Sequence, residues 1–231
     1  MKLIKFIPNL FTLGNLCLGV LGIFLLLTNG VDDISTISYF IFIAAIFDFL
    51  DGLLAKVLNA KTEIGGQLDS LADLITFGLL PGFIYWHLAK DVEWNYVLLL
   101  VPACSAWRLG KFNTSLDQTD SFKGISTTAH GIFVAALLML SLYPQSQLDV
   151  LLIEPNTVVF MAIFFSILMI SNLRIISLKM SSLDFRQNWD RFLLIIGGVT
   201  LAIIYSWSSA PLIMILYLML SIIKQYTSKQ A

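Results

Sequence analysis

Cysteine and histidine each occur only twice in 231 residues, too few for a disulfide framework or for a zinc site built on thiolates and imidazoles. Cys17 and Cys104 fall inside apolar runs and are expected as small buried side chains; they say nothing about redox compartment. Charge is the second scarcity. Charged residues make up 13% of the chain and the net charge is −1, so nothing points to a nucleic-acid partner or an acidic substrate. Apolar surface is what the chain has in excess: 58% of residues are hydrophobic and the mean hydropathy is +0.85. A soluble domain of this size cannot hide that much, and a lipid bilayer is the expected solvent.

The apolar residues form runs long enough to cross about 30 Å of hydrocarbon as helices. The expected spans are 11–28, 35–58, 66–88, 94–110, 127–143, 157–176, 191–207 and 210–226, an all-α polytopic membrane bundle of about eight helices. Only "SWSSAP" separates the last two, so a re-entrant pair is the alternative there. No linker, low-complexity tract or repeat divides the chain. A single domain is expected over 1–231, with a core of about 8–180 and C-terminal helices of about 190–226.

Lysine and arginine test this topology, because cytoplasmic segments carry them. With the amino terminus inside, the inner segments hold Lys2, Lys5, Lys56, Lys61, Arg108, Lys111, Lys123, Arg174, Lys179, Arg186, Arg191, Lys224 and Lys229. Only Lys90 falls outside, while Asp32, Asp33, Asp91, Glu93, Asp149 and Glu154 occupy the outer loops. Both termini are expected in the cytoplasm. The opening "MKLIKFI" reads as a short amphipathic piece along the inner surface. No small-x-small cleavage site follows the first apolar run, so that run is expected to stay as a span.

Against this background the stretch "FDFLDGLLAKVLNAKTEIGGQLDSLAD" is unusually acidic. Asp48 and Asp51 are three residues apart near the inner end of the second span, and Gly52 and Ala55 continue their face. Gly65, Asp69 and Asp73 recur every four residues on the third span. The short loop "VLNAKTEI" makes the two helices antiparallel neighbours, so four carboxylates converge near the cytoplasmic surface. Four such groups do not all stay ionised in a low-dielectric setting without positive charge among them. One or two divalent cations supply it, and carboxylate-only ligation selects Mg²⁺, Mn²⁺ or Ca²⁺ over zinc. The small Gly52, Ala55 and Gly65 leave room beside the ions for a flat ligand. Close helix packing is the plainer use of small residues, but it leaves four intramembrane aspartates unexplained.

The string Asp48-x2-Asp51-Gly52-x2-Ala55-Lys56-x8-Gly65-x3-Asp69-x3-Asp73 resembles the signature of the CDP-alcohol phosphotransferases, integral membrane enzymes of phospholipid synthesis. It departs at Lys56, where the family usually has Arg, so that a two-pronged phosphate grip becomes a point charge. "IPNLFTLGNLCLG", "DSLADLITFGLLPG", "RLGKFN" with "FKGISTTA", and "LMISNLRIISLK" are similar to the membrane-embedded phosphatidylserine synthase branch. "KGISTTA" lacks the proline that the branch more often shows.

The resemblance implies a reaction in which CDP-diacylglycerol and L-serine give phosphatidylserine and CMP, and it implies a homodimer. It makes Asp48, Asp51 and Asp69 ligands of two Mg²⁺ or Mn²⁺ ions, with Asp73 the base for the serine hydroxyl and a further metal contact. Gly52, Ala55 and Gly65 line the CDP pocket with Lys56 on phosphate, and Pro8, Asn9 and Thr12 close over the nucleotide. At Asn9 and Thr12 an ordinary helix start explains the residues equally well. Arg108, Lys111 and Asn113 are candidates for the serine carboxylate, with Thr76 a weaker one. Basic residues at an inner helix end are also ordinary topology anchors. Lys123, Arg174 and Lys179 are weaker candidates for a lipid phosphate. His87 and His130 are expected to be structural, and Trp86, Trp94, Trp107 and Trp189 to form a membrane belt. A proton or cation transporter is the competing class, but the outer halves of spans four to eight offer no matching carboxylate. Other acceptors, such as glycerol phosphate or inositol phosphate, share the same core motif.

Overall fold

The computed structural model describes residues 6–28, 34–114, 121–176 and 185–227. A helix lies at each of the eight expected places: α1 (Ile7–Thr28), α2 (Ile34–Val57), α3 (Glu63–Leu88), α4 (Leu100–Thr114), α5 (Thr127–Leu142), then, after the short α6 (Gln147–Leu152), α7 (Pro155–Ile170), α8 (Phe185–Tyr205) and α9 (Ser209–Thr227). Among the described residues four stretches are long and apolar enough to cross a membrane: Ile7–Thr28, Ile34–Val57, Glu63–Leu88 and Asn188–Thr227. The last is broken at the tight turn Ser206–Ser208, where Ser206 has a φ of 49°. There α8 and α9 fold back on one another, and Gly197 faces Leu216 across the seam. The two apolar helices α5 and α7 are shorter, at 16 residues each.

Two departures from the expected spans have physical causes. The 157–176 run stops being helical at Ile170, and Arg174–Ile176 forms strand β2, paired antiparallel with strand β1 (Ser121–Lys123). Gly124 follows β1 with a φ of +75°, and a Cβ there would strike the carbonyl of Met169, so only glycine makes this turn cheaply. Within α3, residues Leu74–Leu79 form a π turn in which the Leu80 amide donates to the Ile75 carbonyl, five residues back. Pro81 follows immediately and cannot donate to Phe77, and widened turns of this kind gather where the regular ladder is broken.

On α1 large apolar side chains face outward while small and polar ones line the inner stripe. On α1 the buried stripe is Pro8, Asn9, Thr12, Asn15, Gly19, Gly22 and Leu26, whereas Phe24 is 60% exposed. Small residues on that stripe let backbones approach closely: Gly19 lies against Thr76 of α3 and Gly14 against Phe47 of α2. Helix α5 runs through the centre with most of its residues buried, packed on α2 and α3. Around it Ile37, Ile41, Phe77, Leu80, Ile84, Leu137, Leu138 and Leu140 are wholly enclosed. The segment "MKLIKFI" lies largely outside the described residues.

At the end of the bundle remote from the aspartates, Asp149 joins two parts of the chain. Its buried carboxylate accepts from the amides of Gln145 (2.8 Å) and Ser146 (2.9 Å) and from the Ser208 hydroxyl in the α8–α9 turn (2.9 Å). Desolvation opposes ionisation of this group, but these hydrogen bonds outweigh it and hold its pKa below the ordinary carboxylate value. A lowered folded-state pKa stabilises the fold above the unfolded value of about 3.9 and loses that contribution as pH falls through the folded one. Asp149→Ala is therefore expected to lower the detergent-solubilised melting temperature by a few degrees at pH 7. The gap to wild type should narrow below about pH 4. A gap that does not change with pH would contradict this account.

Candidate active site

The acidic site is built on the α2–α3 hairpin. Helix α2 ends where Asn59 adopts a left-handed φ of 49° and the Ala60 amide reaches back to the Ala55 carbonyl at 2.9 Å, an ending to which asparagine is suited. Thr62 then caps α3 by accepting from the Gly65 amide at 3.1 Å. These local signals reverse the chain within a few residues and set the two aspartate-bearing faces opposite each other.

Asp48, Asp51 and Asp69 come together so that one carboxylate oxygen of each lies within 4.8 Å of the others. Oxygens held at 2.0–2.6 Å by one hard cation are separated by up to about 5 Å, so the trio fits a divalent ion. With neither histidine nor thiolate in the set, a hard cation such as Mg²⁺, Mn²⁺ or Ca²⁺ is the match. Two further helices orient these ligands. From α1, the Thr12 hydroxyl donates to Asp51 at 2.6 Å, and from α5 the Thr128 hydroxyl donates to Asp48 at 3.2 Å.

Asp73 stands beside the trio rather than within it. It is buried, accepts from the Asn15 amide at 3.4 Å, and lies within electrostatic reach of all three aspartates and of Arg108. Gly52 faces open space, with nothing within 4 Å of where a Cβ would stand. Gly65 is bounded by Asn9 and Thr62, so the α1 start, with Pro8 buried and its carbonyl 3.3 Å from the Thr12 hydroxyl oxygen, approaches the hairpin. Ala55 is half-buried and Lys56 exposed on the last turns of α2.

The residues expected at a serine site are distributed less uniformly. Arg108 donates to Thr127 at 3.4 Å, and its buried Nε has no hydrogen-bond partner among the described residues. Asn113 is exposed and exchanges hydrogen bonds with Ser70 of α3, and Lys111 is exposed. Thr76 is fully buried and spends its hydroxyl on the Asn15 carbonyl at 3.0 Å, which makes it a seam between α1 and α3. Lys123 and Arg174 are exposed and directly opposite one another in the β1–β2 ladder. Lys179 lies outside the described residues. His130 is buried against the Tyr85 hydroxyl at 3.1 Å, and Trp86 and Trp107 are exposed.

Asn15 and Thr128 escape a reading of the sequence. Their partners are 58 and 80 residues away, and a lone Asn in an apolar helix or a Thr in a first turn has ordinary explanations. The usable signal was Asn15 itself, since a buried amide inside a membrane span needs a polar partner.

A family model described as CDP-alcohol phosphatidyltransferase matches residues 5–223. A protein of Bacillus subtilis (strain 168) named CDP-diacylglycerol–serine O-phosphatidyltransferase is 34% identical over 136 residues, covering 58% of this chain and 75% of that protein. One of the same name from Mycobacterium leprae (strain TN) is 33% identical over 150 residues, 60% of this chain and 48% of that protein. Another, from Helicobacter pylori (strain ATCC 700392 / 26695), is 29% identical over 228 residues, 94% of this chain and 90% of that protein. With its carboxylate trio gathered at one end of an apolar helical bundle and the family model matching nearly its whole length, this integral membrane chain belongs to the CDP-alcohol phosphatidyltransferase family.

Proposed function

We propose that the chain transfers the phosphatidyl group of CDP-diacylglycerol to L-serine, releasing CMP. The observation that carries this reading is the trio Asp48, Asp51 and Asp69, gathered within 4.8 Å beside a separate buried carboxylate, Asp73. The relatives' names supply the acceptor. Asp48, Asp51 and Asp69 would hold Mg²⁺ or Mn²⁺, which when bound would supply positive charge for the pyrophosphate and for the departing CMP. Thr12 and Thr128 each hold a carboxylate of the trio from outside, which keeps those ligands in place without reorganisation.

Gly52 leaves backbone bare for the cytidine ring, Asn9 and Gly65 bound the same pocket, and Lys56 offers its ammonium to a phosphate. Asp73 takes the proton from the serine hydroxyl as its oxygen attacks phosphorus. The bond from phosphorus to the CMP oxygen breaks, and CMP leaves with that electron pair. Asn15 fixes the Asp73 carboxylate for this role. Arg108 receives the serine carboxylate, supported by its buried Nε–H without an acceptor among the described residues. Lys111 and Asn113 stand further out, and the Lys123–Arg174 pair faces lipid phosphate.

The active site faces the cytoplasm in this reading. Its support is the placement of Lys56, Lys61, Arg108, Lys111, Lys123, Arg174 and Lys224 at the same ends of the helices as the aspartates. A homodimer is part of it, expected as twice the protomer mass by light scattering in detergent; a monomeric active enzyme would remove that element.

Purified protein given labelled CDP-diacylglycerol and a panel of alcohols should release CMP with serine, and stop when chelator is added. Asp69→Asn should lower the rate by at least ~100-fold, about 3 kcal/mol of barrier, and weaken Mn²⁺ binding measured by electron paramagnetic resonance. Unchanged turnover in that variant would remove the trio from the chemistry. Gly52→Val is a sharper probe of the pocket. No protein atom meets a Cβ there, so the variant should melt as wild type while its KM for CDP-diacylglycerol rises about tenfold. An unchanged KM would place the nucleotide elsewhere.

A further inference from the structure

The turn that starts α5 serves two other helices at once. Gly124 leaves β1 with a φ of +75°, and its amide donates to the Leu173 carbonyl at 2.8 Å. The Ile125 amide follows by donating to the Leu168 carbonyl at 3.4 Å. Ser126 then caps the helix, its hydroxyl accepting from the Ala129 amide at 3.1 Å. With three consecutive residues tied down, the next two, Thr127 and Thr128, have little freedom of direction. Their hydroxyls go to different partners. Thr128 donates to Asp48 of α2 at 3.2 Å, and Thr127 accepts from Nη1 of Arg108 on α4 at 3.4 Å.

The second contact decides which part of Arg108 is left for a ligand. A guanidinium carries five N–H donors in one plane and grips a carboxylate best through two parallel bonds. Thr127 engages Nη1. The side-on edge made by Nε–H and one N–H of Nη2 is then the remaining fork, and the Nε on it is buried without an acceptor among the described residues. A buried donor left in that state is costly, and a carboxylate laid along the edge satisfies it. Thr127 is itself only 1% exposed, so bulk water does not compete for its hydroxyl. Its β-branched side chain is stiff at χ1, which suits it to holding a flexible arginine in one orientation.

We infer that Thr127 is a positioning residue for the acceptor: by holding Nη1 from the start of α5, it turns the Nε–Nη2 edge of Arg108 toward the carboxylate of serine. The assignment rests on the functional reading above, in which Arg108 receives that carboxylate. Thr127 touches no reacting atom. Its neighbour Thr128 holds a member of the aspartate trio, so adjacent hydroxyls on one helical turn serve the acceptor and the metal separately.

The test uses that division to separate positioning from a general need for an intact helix start. Thr127→Val keeps the branched shape and removes the hydroxyl; Thr127→Ser keeps the hydroxyl and trims a methyl group. CMP release is titrated with serine and with CDP-diacylglycerol, Mn²⁺ binding is read by electron paramagnetic resonance, and melting temperatures are taken in the same detergent. Thr127→Val should raise the KM for serine about tenfold, with kcat, the KM for CDP-diacylglycerol and the Mn²⁺ affinity within about twofold of wild type. Thr127→Ser should bring the serine KM back to within about threefold. Thr128→Val should do the opposite, weakening Mn²⁺ binding about tenfold while the serine KM stays within about twofold. Should the valine variant not fold, Thr127→Ala, which adds no bulk to the buried position, carries the same expectation.

A serine KM unmoved by loss of the Thr127 hydroxyl, or still raised in Thr127→Ser, overturns the assignment. So does a Thr127→Val protein that loses Mn²⁺ affinity in step with serine. Each of these leaves the functional reading intact. Wild-type protein that releases CMP with another alcohol but not with serine overturns the functional reading, and the assignment with it.

Discussion

Three carboxylates held within 4.8 Å of one another at the end of an apolar bundle impose the constraint from which most of the surrounding arrangement follows. Like charges at that separation repel strongly wherever water is scarce, and burying them unpaired costs more still. The neighbouring helices respond at the same level of the bundle. Helix α1 donates Thr12 to Asp51 and Asn15 to Asp73, α5 donates Thr128 to Asp48, and α4 brings Arg108 within electrostatic reach of Asp73. Each contributes a donor or a positive charge aimed at the carboxylates, and none contributes another acid. A hard divalent ion completes such a shell where side-chain donors alone fall short of the charge.

The same constraint accounts for the shape of α1. Its buried stripe runs Pro8, Asn9, Thr12, Asn15, Gly19, Gly22, polar where it passes the aspartates and glycine where it passes Thr76 and Leu80 of α3. The polar half supplies hydrogen bonds, and the glycine half brings the backbones close enough for those bonds to reach. In lipid, close packing of small residues replaces the hydrophobic drive that pulls helices together in water, so the stripe both assembles the helices and equips the site.

What could be read from the sequence was local. The Asp48/Asp51 and Asp69/Asp73 faces follow from helical spacing, and their meeting follows from a loop whose Asn59 and Thr62 end one helix and start the next. The eight apolar runs located the helices within a few residues. Two kinds of feature stayed hidden. Asp73 shares a face with Asp69 by spacing, yet it stands outside the compact trio, because distances between side chains on two helices depend on tilt and rotation that no spacing encodes. Strand β2 falls at the tail of the expected 157–176 span and β1 between two spans, since three-residue strands of Ser-Phe-Lys and Arg-Ile-Ile carry no alternation long enough to register. The docking of the C-terminal hairpin stays hidden for a related reason: Tyr217 and Ser221 of α9 hydrogen-bond to Ile176, 41 and 45 residues away.

The interior above the site bears on whether these carboxylates serve transfer or transport. Beyond Asp73 toward the opposite end, α3 continues through Phe77, Leu80 and Ile84, each with no exposed surface, and α5 meets them with Leu137, Leu138 and Leu140, enclosed to within about 1%. Polar groups in this layer are turned on protein partners: Tyr85 and His130 share a 3.1 Å hydrogen bond, and the buried Ser38 hydroxyl donates to the Ala135 carbonyl at 3.0 Å. A conducting path needs alternating polar stations or a cavity at this depth, whereas a packed apolar layer is a dielectric barrier to any ion leaving the trio. Lipid substrates do not need such a path. A diacylglycerol moiety stays in the leaflet that it already occupies, while its nucleotide head and the water-soluble acceptor meet at the charged end. A site open at one end and sealed at the other is therefore suited to joining a membrane-anchored donor to a polar acceptor, and unsuited to carrying an ion across.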